Sequence, residues 1–210
     1  DDNYRRFAES VRTFRTSLLL TQLERDHKVI AVTSSSPGEG KTTTSANLAM
    51  SLAQMGKVLL IDADLRKPSI AKRFDIPVFH PGLSNLIVGT EQLSECIHVD
   101  VQSGVTIMPS GQIPSNPLEL LSNARFSEVI EGLKAEYDHI IIDTPPTQAV
   151  SDALVVAQST DSVIYVVKSD ITRIKPIKAG IERLFEAKAH VAGIVLNQVD
   201  MSKSKDEHSH

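Results

Sequence analysis

Residues 34–43 read Ser-Ser-Ser-Pro-Gly-Glu-Gly-Lys-Thr-Thr, a run of small residues closed by a lysine and two threonines. Backbone N–H groups in such a run can curl around phosphate oxygens. An ammonium at Lys41 can reach the β and γ oxygens of a triphosphate, and the Thr42 hydroxyl can meet Mg²⁺. The candidate nucleotide-binding residues are therefore Ser36, Gly38, Glu39, Gly40, Lys41, Thr42 and Thr43. Ser35 stands where the usual pattern has its first glycine, and it is small enough to keep the turn. A dinucleotide loop is excluded, because no G-x-G-x-x-G is present and a lysine follows the last glycine.

Three acids complete the chemistry. Lys57–Asp64 (KVLLIDAD) carries Asp62 and Asp64 to the end of an apolar strand, two residues apart and so on one side of it. Residues 139–146 (HIIIDTPP) bring Asp143 to a second strand end. Mg²⁺ takes few protein ligands, so Thr42 with Asp62 or Asp143 suffices. Phosphoryl transfer to a hydroxyl also needs a group to receive its proton, and Asp62 or Asp64 can do this beside the metal and Lys41.

These residues need strand ends and a helix start to converge. Six apolar segments read as strands: Lys28–Ser34, Lys57–Asp64, Val105–Gly111, His139–Pro146, Ser162–Lys168 and Val191–Asn197. Each is continuously apolar rather than alternating, and helical stretches separate them. That pattern predicts an α/β fold, a doubly wound, mostly parallel sheet with helices on both faces and its ligand at the carboxyl ends of the strands. A helix over Thr42–Met55 should end at Gly56, and Asn116-Pro117-Leu118-Glu119 supplies a cap, a first-turn proline and an acid for another. Phe7, Val11, Phe14 and Leu18 recur at helical spacing and predict an amphipathic helix over about 4–24.

The 210 residues suit one domain, read here as residues 1–200 with a flexible polar tail at 201–210. A net charge of −4 argues against a general nucleic-acid grip, so no nucleic-acid partner is expected. The single cysteine, Cys96, cannot form an internal disulfide and asks for no oxidising compartment. No apolar run approaches the roughly 20 residues of a membrane-spanning helix, and a cytoplasmic location is expected. The chain begins on Asp rather than Met, which fits an excised or processed piece.

The phosphate loop, the D-x-D strand end followed by Arg66-Lys67-Pro68 and the Asp143-Thr144-Pro145-Pro146 run together resemble the Walker A, A′ and B set of bacterial tyrosine kinases. These are relatives of the P-loop ATPases that partition plasmids and place division sites. Residues 82–89 (GLSNLIVG) and 108–121 (MPSGQIPSNPLELL) are similar to stretches of those kinases and tilt the choice toward them. The resemblance implies an ATP- and Mg²⁺-dependent protein-tyrosine kinase that regulates exopolysaccharide or capsule synthesis by phosphorylating tyrosines in a neighbouring subunit's tail. It assigns phosphate and metal to Lys41 and Thr42, metal and tyrosine activation to Asp62 and Asp64, and completion of the metal site to Asp143.

Glu9, Arg12 and Arg15 resemble the E-x-x-R-x-x-R motif through which these kinases assemble into rings. By spacing alone they read as a solvated helical set; the resemblance makes them the oligomerisation residues of a homo-oligomer. It also implies a membrane polysaccharide copolymerase as activator, fused or separate, a partner tyrosine phosphatase, and a place at the inner face of the inner membrane. One departure is clear: the tyrosine cluster of the family's tail is missing, and only Tyr4, Tyr137 and Tyr165 occur, with Tyr165 mid-strand and Tyr137 just before a strand, so that both look structural.

Two weaker signals stay open. Arg66, Lys67, Lys72 and Arg73 form a basic group that suits either a bound anion or a solvated face. Asn197 ends the last strand, where it can bond an adenine or cap a loop. Two alternative functions also stand beside the kinase: a partition-type or chain-length-regulating ATPase, and an ATP-driven assembly switch.

Overall fold

The structure is a computed structural model that describes residues 2–22 and 27–200. The stretch 201–210, expected to be a flexible tail, lies outside the described residues. Among the described residues seven strands form one sheet: β1 (Val29–Ser34), β2 (Val58–Asp62), β3 (His98–Val99), β4 (Thr106–Met108), β5 (His139–Asp143), β6 (Ser162–Lys168) and β7 (Val191–Asn197). Their order is β3-β4-β2-β5-β1-β6-β7, and every pair is parallel except β3 with β4. The two-residue β3 escapes sequence reading because so short a segment carries no period.

Residues along the buried strands feed three apolar clusters. Ile30, Val32, Leu60, Ile141 and Val166 pack with Ala46, Leu48, Ala49 and Leu52 of α2 (Lys41–Leu52). Val29, Leu59, Ile61, Ile140 and Ile142 pack against Leu83 of α4 (Leu83–Val88) and Phe126, Ile130 and Leu133 of α6 (Ala124–Leu133). A third group joins Ala31, Val163, Tyr165 and Val167 to Leu184 of α8 (Ile174–Glu186). Helices on both faces explain why the central strands are apolar throughout. Strand β7 lies at the sheet edge, and Ile194 and Leu196 are exposed there.

Helix α1 spans Asp2–Gln22. Leu18 is buried, and Phe14 and Leu19 join the α2 side of the core, but Phe7 is 49% exposed, so only the second half of the expected stripe packs. Helix α2 stops at Leu52 with Ala53 as its right-handed cap, and Gly56 is not its C′ residue as expected. Gly56 instead lies against Asp138, where an added Cβ would sit 2.5 Å from Asp138 Oδ2.

The start of α5 (Pro117–Leu121) follows expectation: Asn116 Oδ1 accepts the Glu119 N–H at 3.3 Å, and its Nδ2 donates to Glu119 Oε2 at 3.0 Å. The two family-like stretches meet in space. The Leu83 and Ser84 N–H groups donate to the Pro109 and Ser110 carbonyls at 2.8 and 3.0 Å, and a Cβ on Gly82 would lie 2.0 Å from the Pro109 oxygen.

Candidate functional site

The loop between β1 and α2 opens at the carboxyl end of the sheet. Gly38 and Gly40 have φ of +82° and +93°, a region that favours glycine, and Gly40 precedes the first residue of α2, Lys41. A Cβ on Gly40 would lie 2.0 Å from Asn197 Nδ2, which donates to the Glu39 carbonyl at 2.9 Å. Of the two roles open to Asn197, the loop contact is thus present.

The Glu39 carboxylate is buried and turned into the fold. Its Oε2 accepts the Ser36 N–H at 2.7 Å, and its Oε1 accepts the Thr172 hydroxyl. Ser35 has a reason to stand for glycine: its Oγ lies 2.9 Å from the hydroxyl of buried Tyr165, which is 3.1 Å from Thr147 Oγ1. Thr147, Tyr165 and Thr172 support the loop without being recognisable in sequence, because each is distant from it along the chain.

Asp62 and Asp143 are register partners on adjacent strands, which places the two acidic strand ends side by side. Asp143 is fully buried; its Oδ2 accepts the Thr42 hydroxyl at 2.6 Å and its Oδ1 the Ser45 hydroxyl at 3.0 Å. Lys41 Nζ lies 3.1 Å from Asp64 Oδ2 and 3.6 Å from Asp143 Oδ2. The other Asp64 oxygen accepts the Lys67 N–H at 3.1 Å.

Asp62 shapes the turn that follows it. Its Oδ2 accepts the Ser69 and Ile70 N–H groups, both at 2.9 Å, where α3 (Ile70–Arg73) begins, and its Oδ1 accepts the Asp64 N–H at 3.2 Å. Asp64 and Asp143 therefore meet Lys41 and Thr42 directly, and Asp62 stands beside Asp143 on the adjacent strand.

Burial and mutual repulsion set the protonation of this group. Desolvation pushes Asp62 up to about 7, the Asp143 charge adds to it, and the Ile70 and Ser69 N–H groups oppose it. Asp143 is also raised, chiefly by desolvation, against the pull of Lys41. Desolvation would lower Lys41, but Asp143, Asp64 and Asp62 outweigh it and leave the ammonium more basic than usual.

Lys41 and Thr42 open onto a cavity of about 620 Å³, lined also by Gly38, Gly40, Thr43 and Asp64 among others, while Asp62 and Asp143 are buried. Its size suits a small-molecule ligand. Among the described residues no group of three or more His, Cys, Asp or Glu side chains is placed to hold a metal by itself. A hydroxyl beside a carboxylate, with the remaining positions left to phosphate and water, is the donor set that Mg²⁺ accepts.

The nominated oligomerisation residues divide. Glu9 and Arg12 form an exposed pair at 3.1 Å, whereas Arg15 turns inward and donates through Nη1 to the Ser51 carbonyl at 2.9 Å and Gln54 Oε1 at 3.2 Å. Tyr137 and Tyr165 are buried, in agreement with the structural reading of both. Among the described residues no helix is long and apolar enough to cross a membrane.

Residues 27–194 match the AAA domain family. The chain is 36% identical over 200 residues to tyrosine-protein kinase YwqD of Bacillus subtilis (strain 168), which covers 95% of this chain and 84% of that protein. It is also 36% identical over 192 residues to tyrosine-protein kinase etk of Escherichia coli (strain K12), covering 91% of this chain but only 26% of the relative. Among solved structures, the VpsO kinase domain superposes with a TM-score of 0.86 at 46% identity, over 95% of this chain and 98% of the other.

Proposed function

The chain belongs to the bacterial tyrosine kinases of the P-loop class, and from that premise we propose that it transfers the γ-phosphoryl group of ATP to tyrosine in an Mg²⁺-dependent reaction. The observation that carries this reading is the meeting of Lys41, Thr42 and Asp64 at one cavity, with Asp143 buried beside them: Thr42 bonded to Asp143 at 2.6 Å, and Lys41 held at 3.1 Å from Asp64.

In this reading the loop from Ser36 to Thr43 binds the phosphates, with Asn197 beside it. Lys41 shifts from the carboxylates to the β and γ oxygens when phosphate competes for it. Thr42 and Asp143 would hold Mg²⁺, with Asp62 behind them; the ion, when bound, neutralises charge on the phosphate oxygens. The phenolic oxygen bonds to the γ-phosphorus, the bond to the β–γ bridging oxygen breaks, ADP leaves and the phenolic proton passes to a carboxylate. Asp64 suits that last role better than Asp62, because three backbone N–H groups already bond to Asp62.

The biological setting follows from the family. Residues 1–200 act as one P-loop domain in a homo-oligomeric ring built through Glu9, Arg12 and Arg15, and phosphorylate a neighbour's tyrosine cluster in trans. A membrane polysaccharide copolymerase activates it at the inner face of the inner membrane, a tyrosine phosphatase reverses it, and exopolysaccharide or capsule export is the output.

The test is a transfer assay with labelled ATP, Mg²⁺ and a tyrosine-rich peptide, comparing wild type with Lys41→Met and Asp64→Asn. Label on tyrosine that both substitutions remove supports the kinase. Free phosphate with no labelled peptide moves the reading to the ATPase.

A further inference from the structure

The phosphate loop contains a buried carboxylate that stays out of the cavity. Glu39 is 3% exposed and stands between Gly38 and Gly40, which line the cavity while Glu39 itself does not. Asp64, Asp143 and Asp152 are buried acids with cations beside them: Lys41 lies against the first two, and Arg66 Nε lies 2.8 Å from Asp152, the first residue of α7 (Asp152–Ala157). Glu39, like Asp62, has no cation within ion-pair distance among the described residues. A carboxylate so close to the site of an anion repels that anion, and it is costly to bury, unless hydrogen bonds hold it away.

Those bonds come from the far edge of the sheet. Glu39 Oε1 accepts the hydroxyl of Thr172, 133 residues away, and Oε2 accepts the Ser36 N–H at 2.7 Å. Thr172 is itself fixed: its Oγ1 accepts the Lys168 N–H at 3.2 Å and its N–H donates to the Lys168 carbonyl at 3.1 Å, which closes the turn between β6 and α8. That turn is bonded to β7, because the Ser169 N–H donates to the Asn197 carbonyl at 2.9 Å, and Asn197 Nδ2 reaches back to the Glu39 carbonyl at 2.9 Å. The ends of β6 and β7 thus grip Glu39 through its side chain and its backbone.

We propose that Glu39 is a positioning residue for nucleotide binding and that Thr172 holds its charge away from the phosphates. The proposal rests on the nucleotide-site reading and deepens it, because it gives the β6–α8 turn control over the shape of the phosphate loop. With Thr172 in place, both carboxylate oxygens are turned toward donors, and a side chain closes the loop from Ser36 to Glu39. Without that hydroxyl Oε1 has lost its donor, and the carboxylate turns toward the water of the cavity, where it opposes a triphosphate. Glu39→Gln removes the charge and keeps both bonds: the amide carbonyl accepts the Ser36 N–H, and the amide nitrogen donates to Thr172 Oγ1.

The test uses the full chain with Mg²⁺ and reads two quantities, Kd for a fluorescent ATP analogue and kcat for transfer from ATP to a tyrosine-rich peptide. Thr172→Val, close in shape, should raise Kd about tenfold, the size of a lost hydrogen bond to a charged group, and change kcat less than about twofold. Thr172→Ser should bind as wild type does. In a Glu39→Gln background the same Thr172→Val change should raise Kd about threefold or less, because no charge is released. An unchanged Kd in Thr172→Val overturns the proposal, and so does a loss that Thr172→Ser shares in full. Equal losses in the two backgrounds also overturn it, because the Glu39 charge is then not what Thr172 restrains. A wild type that binds the analogue and labels no tyrosine removes the kinase reading, while the Kd values still decide the role of Glu39.

Discussion

The Thr42 hydroxyl donates to Asp143 Oδ2 at 2.6 Å across 101 residues of sequence, joining the first turn of α2 to the end of β5. Asp143 thus positions the hydroxyl before any ligand arrives, and its charge sits where a divalent ion would share it. Asp143→Asn keeps the size of the side chain and removes the charge. We expect phosphate transfer to fall about 100-fold, and the Mg²⁺ concentration for half-maximal rate to rise about tenfold or more. A Mg²⁺ titration of the transfer rate checks both, and an unchanged titration would place the metal elsewhere.

Asp62 makes stability depend on pH in a definite direction. Its folded value of about 7 lies above the ordinary carboxylate value. As pH rises from about 4 to about 7 the unfolded chain releases this proton while the folded chain keeps it, so the stability contributed at low pH is lost across that window. Asp62→Asn cannot ionise and should flatten the slope. Urea midpoints from about pH 5 to pH 8, without nucleotide or metal, read this directly. Equal slopes in the two proteins would assign the titration to another group.

Tyr165→Phe removes one oxygen that serves both Ser35 and Thr147. The loss should be about 1–2 kcal/mol of stability, because two buried hydroxyls lose a partner. Ser35 belongs to the phosphate loop, so the affinity for ATP should fall as well, measured by titration with a fluorescent nucleotide. Loss of stability with unaltered ATP affinity would show that the loop holds its shape without this bond.

Arg12 and Arg15 should separate in a melting experiment. Arg12 pairs with Glu9 in solvent, where such pairs contribute little, and Arg12→Ala should leave the midpoint almost unmoved. Arg15 bonds the Ser51 carbonyl near the end of α2, and Arg15→Ala should cost about 1 kcal/mol. If both also abolish a ring seen by light scattering, the Arg15 effect has two components, intramolecular and intersubunit. If neither changes the oligomeric state, the assembly role of this motif fails.

Much of the site was readable because its parts are local. The run from Ser34 to Thr43 carries its own turn chemistry, and the acids stand at the ends of apolar runs whose burial on both faces predicts a parallel sheet. The alignment of Asp62 with Asp143 is a register fact, which strand composition cannot supply. The end of α2 was misread for a related reason: Gly56 is glycine because Asp138 crowds it, a contact made across the sheet rather than along the helix.

By itself the sequence determined the fold class and nominated the candidate phosphate loop and its acids, because short-range spacing and hydrophobic runs are properties of adjacent residues. Only the tertiary structure decided how those groups are supported and divided. It turned Glu39 toward Ser36 and Thr172, tied Ser35 to Tyr165, set Asp62 to capping a turn, left Asp64 between Lys41 and Lys67, and folded Arg15 onto α2. Each of those choices is a hydrogen bond or ion pair that forms only once the packed sheet has brought its partners together and excluded the water that would otherwise satisfy them.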